Sequence, residues 1–249
     1  MHDRFRQIGF SQRIRLEWLE RTANLVLAGI DERSIYSALQ DLLEDKLSVG
    51  GNAVRGNREK AISILMKIWV HPPHDLHVLQ REGLSLLSHL PRADHVAIHW
   101  GMAMAVYPFW GSVAAQVGRL LRLQGTAVAS QVQRRVREQY GERETVSRAT
   151  RRVLRSYVDW NVLRETAKRG IYSQGAIHSI SHTELIAWLV EALLHAHPGG
   201  SVALATALHS TSLFPFEIQA TSAESLAAAS GRLEVLRHGL DQEMLMLRG

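Results

Sequence analysis

The chain has 249 residues, 46% of them hydrophobic, enough for a sizeable core, so global disorder is excluded. It has no cysteine, which excludes disulfides, cysteine-based zinc sites and thiol catalysis and fits a cytoplasmic protein. The formal charge is +5, and 25 of the 29 cations are arginine.

Met1 to Phe10 is polar and basic, without the apolar run of a secretory signal. Residues 1–110 read as a helical bundle. Arg13 to Ala28 carries Ile14, Trp18, Leu19, Leu25 and Val26 at near-helical spacing. Asp31 is placed to cap a second helix through Leu47, with Ile35, Leu39, Leu42 and Leu43 on one face. Ser48 to Asn57 is a loop rich in glycine and asparagine, and Asn57 would cap a third helix from Arg58 to Val70, ended by Pro72-Pro73. Two more helices follow at about 74–90 and 93–107. Val96 to Gly118 holds no charged residue over 23 positions, a length that would span a bilayer. It also carries His99, Pro108, Gln116 and three glycines. The expectation is therefore a buried helix stopping near Tyr107-Pro108 and a second helix after it, with no membrane partner.

Residues 111–175 change character. Residues 119–169 hold 13 Lys and Arg against five Asp and Glu, a balance of +8, so the remaining chain sums to −3. Such confinement of charge points to a local anionic partner. Val113 to Leu123 forms a helix ended by Gly125, Ser130 to Tyr140 a second stopped at Gly141, and a third, capped by Thr145 or Ser147, runs to Val158. Trp160 to Glu165 and Ile171 to Ser173 read as strands joined through Ala167-Lys168-Arg169-Gly170. Three helices and a basic hairpin give the order of a winged helix-turn-helix.

Residues 176–249 are mixed. Ser181-His182-Thr183-Glu184 has the capping-box pattern ahead of Leu185 to Leu194, and His197-Pro198-Gly199-Gly200 breaks that helix. A short helix covers 201–209, Phe214-Pro215-Phe216 is a loop or the start of a strand, Thr221 caps a helix to Ala229, and Leu233 to Leu247 forms a β-hairpin turning at Gly239. The fold class is mainly α: a helical bundle, a central winged-helix-like segment and a mixed α/β C-terminal part.

The arginine stripe is the sharpest motif. With Val146, Ala149, Val153, Leu154 and Tyr157 inward, Ser147, Arg148, Arg151, Arg152 and Arg155 fall on the opposite arc. Like charges at these spacings repel, so an anionic ligand would relieve the helix. Arg143 precedes it, and Arg164, Lys168 and Arg169 lie on the wing. Arginine reaches phosphate or pairs bidentately with guanine. The bland alternative is a solvated face or a docking surface for an acidic partner.

Other motifs stay incomplete. His71, His74 and His77 surround two prolines, and His95 and His99 have the i, i+4 spacing of zinc sites but without HExxH, so both groups read as boundary histidines and no metal or cofactor is expected. Gly51 to Gly56 has half a phosphate-loop spacing, followed by Asn57-Arg58 where Lys-Ser/Thr is required. There is no GxSxG elbow, and no catalytic residue is assigned. Trp69, Trp100, Trp110, Trp160 and Trp188 read as core.

The helical front half, the central Thr150-Arg151-Arg152-Val153-Leu154-Arg155-Ser156 segment and the late Leu213-Phe214-Pro215-Phe216 resemble the BrxA-type component of BREX phage-defence systems. The resemblance, one of order and length, implies a small, largely helical, NusB-like fold, a role in DNA binding and other defence-system proteins as partners. No functional residue is carried over from it. The leading expectation is a non-catalytic, double-stranded DNA-binding component or regulator of a prokaryotic defence system. The alternatives are a protein or RNA interaction scaffold with a basic docking face, and a metal-dependent hydrolase using the histidines.

Overall fold

The computed structural model describes residues 4–47, 56–238 and 242–248. Among these described residues the fold is mainly helical with three small sheets. The first helices are α1 (Leu16–Leu27), α2 (Glu32–Leu42), α3 (Asn57–Trp69), α4 (His77–His89) and α5 (His95–Val106). Asp31 caps α2 as expected, accepting from the Ser34 N–H at 3.1 Å. The helix stops at Leu42, short of the expected Leu47. Gly56, not Asn57, is the N-cap of α3, and the Asn57 side chain instead accepts from Gln12 Nε2 at 3.0 Å. The residues between 48 and 55, with most of the half phosphate-loop, lie outside the described residues.

The long uncharged stretch divides where Pro108 removes a backbone donor: α5 ends at Val106 and α6 (Pro108–Gln124) starts with the proline in its first turn. Every residue of α5 from Val96 to Val106 is buried. A helix apolar on all sides must be central, and α5 packs against α1, α3, α4, α6 and α9 (Thr183–Ala196). No helix among the described residues is long and apolar enough to cross a membrane.

After α6 the order is β1 (Thr126–Val128), α7 (Ala129–Tyr140), α8 (Glu144–Asp159), β2 (Leu163–Glu165) and β3 (Ile171–Gln174). The three strands form an antiparallel sheet in the order β1-β3-β2. This is the winged-helix arrangement, including a first strand that three small residues did not announce. Gly125 takes the left-handed conformation (φ 72°), letting its N–H close on the Leu121 carbonyl and turning the chain into β1. Gly141, at a different positive-φ conformation (φ 95°), likewise closes its N–H on the Arg137 carbonyl between α7 and α8.

The C-terminal part contributes β4 (His178–Ile180), α9, β5 (Ser201–Ala203), α10 (Leu204–Leu208), β6 (Phe216–Ile218), α11 (Ala223–Ala229), β7 (Leu233–His238) and β8 (Gln242–Leu247). β4 pairs in parallel with β6, and β5-β8-β7 form the third sheet, with the expected β7–β8 hairpin; its turn at Gly239 lies outside the described residues. Two expected caps are corrected. The capping box at 181–184 does not form: His182 is the N-cap of α9 without a side-chain bond, and Glu184 reaches across to His89 Nε2 at 3.0 Å. Ser222 rather than Thr221 caps α11, accepting from the Ser225 N–H at 3.1 Å. Arg232, just before β7, donates to Glu82 on α4 and, at 2.7 Å, to Glu191, which is fully buried on α9. A buried carboxylate is tolerable only with such a partner.

One hydrophobic cluster runs from Phe10 to Leu245. Trp100 is its hub: its ring meets Trp110 (5.1 Å between centroids), Tyr157 (4.9 Å), Trp160 (5.9 Å), Phe214 (5.5 Å) and Phe216 (5.7 Å). The tryptophans read as core are core, and two of them hold backbone carbonyls: Trp100 Nε1 donates to Ser212 O and Trp160 Nε1 to Ile14 O, both at 3.0 Å. The winged-helix segment therefore shares its aromatic core with the bundle before it and the segment after it.

Candidate nucleic-acid interface

The candidate surface is built by the amphipathicity of α8. Val146, Ala149, Thr150, Val153, Leu154 and Tyr157 are buried, each apolar side chain worth up to about 1.5–3 kcal/mol of burial. This fixes the helix rotation, so Arg148, Arg151, Arg152 and Arg155 all emerge on the exposed side. Ser147 and Ser156 correct the simple two-face picture. Both are buried, and Ser156 Oγ accepts from the Ile14 N–H at 2.8 Å, holding the N-terminal segment on the end of α8. Arg13 reinforces that contact by pairing with Asp159. Neither Thr145 nor Ser147 caps α8: its N-cap is Arg143, without a side-chain bond to the helix. Arg143 turns back, its guanidinium donating to the Tyr140 carbonyl at 3.1 Å, where it covers an open C-terminal carbonyl of α7.

The β2–β3 turn places Lys168 and Arg169 at an exposed tip. Thr166 Oγ1 organises it, accepting from the Lys168 N–H at 3.3 Å, and Gly170 (φ 78°) lets the chain re-enter β3. Arg164 is exposed on β2, but strand alternation puts it on the face opposite Glu165. Glu165 is the side chain that turns toward α8, pairing with Arg155 at 2.7 Å.

The arginine stripe is not bare. Glu144 accepts from Arg151 at 3.1 Å and lies 3.4 Å from Arg148 Nε. Internal carboxylates thus relieve part of the repulsion expected along the helix, so the stripe alone does not demand an external anion. Arg152, Arg164, Lys168 and Arg169 make no ion pair among the described residues. The sequence reading missed Glu144, although its i, i+4 spacing to Arg148 is a signal that could have found it. Glu165 carries no such signal, because only the hairpin's packing on α8 brings it near Arg155.

Two histidines form a second cluster around Glu20: His95 lines a cleft of about 670 Å³ with Arg15, Glu20, Arg21 and Arg92, and His99 lies buried beside it. Glu20 bridges them: Oε1 lies 3.0 Å from His95 Nδ1, and Oε2 lies 2.7 Å from His99 Nε2. Trp69 Nε1 donates to His99 Nδ1 at 3.1 Å, which assigns the remaining proton to His99 Nε2, donating to Glu20. His99 is fully buried rather than a boundary residue, and burial pushes its pKa below the ordinary value. The hydrogen bond from His99 and the charge of the pair hold the Glu20 carboxyl at about 2. His95 Nε2 faces the Leu90 carbonyl at 3.3 Å, so both of its nitrogens are also occupied. His71 and His77 are apart from this group, the first near Glu32 and the second on the Pro72 carbonyl. Among the described residues no group of three His, Asp or Glu side chains is arranged to hold a metal ion. A comparison of the chain with protein-family models, with characterised proteins and with solved structures finds no match.

Proposed function

We propose that this chain is a non-catalytic double-stranded DNA-binding protein that lays α8 in a major groove and the β2–β3 tip against the neighbouring phosphates. The observation that carries this reading is the division of α8: one face is consumed by the core, while the other presents four arginines beside a basic hairpin, in a winged-helix arrangement. Exposed pairs such as Arg151–Glu144 and Arg155–Glu165 are worth at most about 1 kcal/mol, so exchanging carboxylate for phosphate costs little. The non-catalytic reading is supported by the Glu20 cluster, whose histidine nitrogens are all engaged internally. The resemblance to the BrxA-type family suggests a phage-defence setting and partners from the same system.

The test is a gel shift on random duplex DNA at increasing salt. If about five cations meet phosphate, log K falls against log salt with a slope near about −4.5, and affinity drops roughly 500-fold between about 50 and 200 mM. Duplex binding without salt dependence, or none at low salt, overturns the reading. Stable copurification of an acidic protein in the latter case would assign the surface to protein docking instead.

A further inference from the structure

A second cavity, of about 530 Å³, lies beneath the same winged-helix segment. Its volume falls within the range of about 300–1,000 Å³ typical of small-molecule sites. One stripe of α6 forms a wall: Pro108, Gly111, Ser112, Ala115 and Gln116 recur at the spacing of a single helix face. The opposite side comes from the end of α7, the end of α9 and the turns that follow α9 and α10. No Lys, Arg, Asp or Glu lines it. In a chain where about one residue in five is charged, that absence is selective.

Its polar groups are amides, hydroxyls and, at the rim, the exposed imidazole of His197, whose Nδ1 accepts from the Gly199 N–H at 3.2 Å. Gln116 and Gln139 each offer a donor and an acceptor side by side. The Oε1 of Gln116 is buried and has no hydrogen-bond partner among the described residues, a cost to the fold unless a donor meets it. Ser112 Oγ lies 2.9 Å from the Tyr140 hydroxyl and accepts from Gln139 Nε2 at 3.4 Å, so the cavity's polar edge is also the link between α6 and the end of α7. Tyr140 is the last residue of α7, and only Gly141, Glu142 and Arg143 separate it from α8.

We propose that this cavity binds an uncharged nucleoside and that its occupancy adjusts α7, and with it the presentation of α8. Carboxamides pair with the donor–acceptor edge of a base. Met104, Pro108 and Leu193 supply apolar surface for its ring faces, and the serine and tyrosine hydroxyls match a sugar. A phosphate would meet no lysine or arginine there and only the His197 imidazole at the rim, so its burial is costly. The second half of the proposal rests on the DNA-binding reading; the first does not.

Isothermal titration of the full chain with adenosine, guanosine, cytidine, thymidine and their 5′-monophosphates tests it. At least one nucleoside binds with Kd below about 1 mM. Its monophosphate binds about tenfold more weakly or worse. Gln116→Leu weakens the nucleoside about tenfold, and so does Gln139→Ala, an exposed position whose loss spares the fold. The same nucleoside shifts the midpoint of duplex binding in a gel shift by about fivefold or more. No nucleoside heat at about 1 mM, a monophosphate that binds equally well, or unchanged affinity in Gln139→Ala overturns the site. Nucleoside binding that leaves DNA affinity unmoved overturns the coupling alone. A chain that binds nucleoside but no DNA retains the site and refutes the DNA-binding reading together with the coupling.

Discussion

α5 and α8 are both helices of this core, yet they divide their residues in opposite ways. Eleven consecutive residues of α5, Val96 to Val106, are buried, including Trp100 and His99. α8 buries a single stripe and leaves its arginines in solvent. The burial predicts that substitutions in α5 disturb the fold, whereas replacing an arginine of α8 leaves it intact. The contrast teaches where to look for function: in side chains that folding does not use.

The sharpest way to break the comparison is Trp100→Ala. It removes the hub of the aromatic cluster and should destabilise by about 3–5 kcal/mol, read as a large drop in denaturant midpoint with unchanged m. A loss below about 1 kcal/mol would show that α5 is not the keystone.

Acid should also strike α5 before α8. The pKa of His99 is lowered in the folded state, so its contribution is complete above the ordinary value of 6.5 and is lost as pH falls below it. Glu20, held at about 2 against an ordinary 4.5, contributes fully above 4.5 and loses that contribution on the way down to about 2. Melting temperature against pH should therefore sag below 6.5 and again below 4.5, and Glu20→Gln should flatten the second fall, with His95 the other group facing Glu20. Identical acid limbs in the two proteins would remove Glu20 from the explanation.

Replacing Arg151 and Arg152 together with alanine should leave stability within about 0.5 kcal/mol while flattening the salt slope of DNA binding by about 1–2 units. The converse pattern, a lowered melting temperature with the slope unchanged, would make these arginines structural. The smallest effect is expected from Glu144→Gln, which frees Arg148 and Arg151 and should raise DNA affinity a few-fold, by about 0.3–1 kcal/mol. A fall in affinity there would mean that Glu144 positions the arginines for their ligand.

Periodicity made the helices of the front half and centre legible, because a buried stripe every three to four residues is written locally. The winged-helix order followed from three such stripes and a basic hairpin. β1 and β4 were not legible: three-residue strands are defined by their partners, β3 and β6, and carry no pattern of their own. The capping box at 181–184 misled because Glu184 finds His89, 95 positions away, a better partner than its own helix start. Of the candidate surface, the arginines were readable and the acids that pair with them only partly, since Glu165 reaches Arg155 through tertiary packing. The α6 cavity left no sequence signal, being a gap between elements rather than a property of any one.

The length of the α8 stripe has a consequence for how much information the protein can extract. From Arg148 to Arg155 the helix advances about 10 Å at 1.5 Å per residue. Laid along a duplex, that spans about three base-pair steps of 3.4 Å. A word so short recurs roughly every few dozen base pairs, far too often to specify an address among about 10⁶ or more competing sites. On the proposed reading, one copy of this chain can hold DNA tightly but cannot know where it is. Any addressing must come from a second copy at a fixed helical spacing, from the shape of the DNA, or from another protein that brings it there.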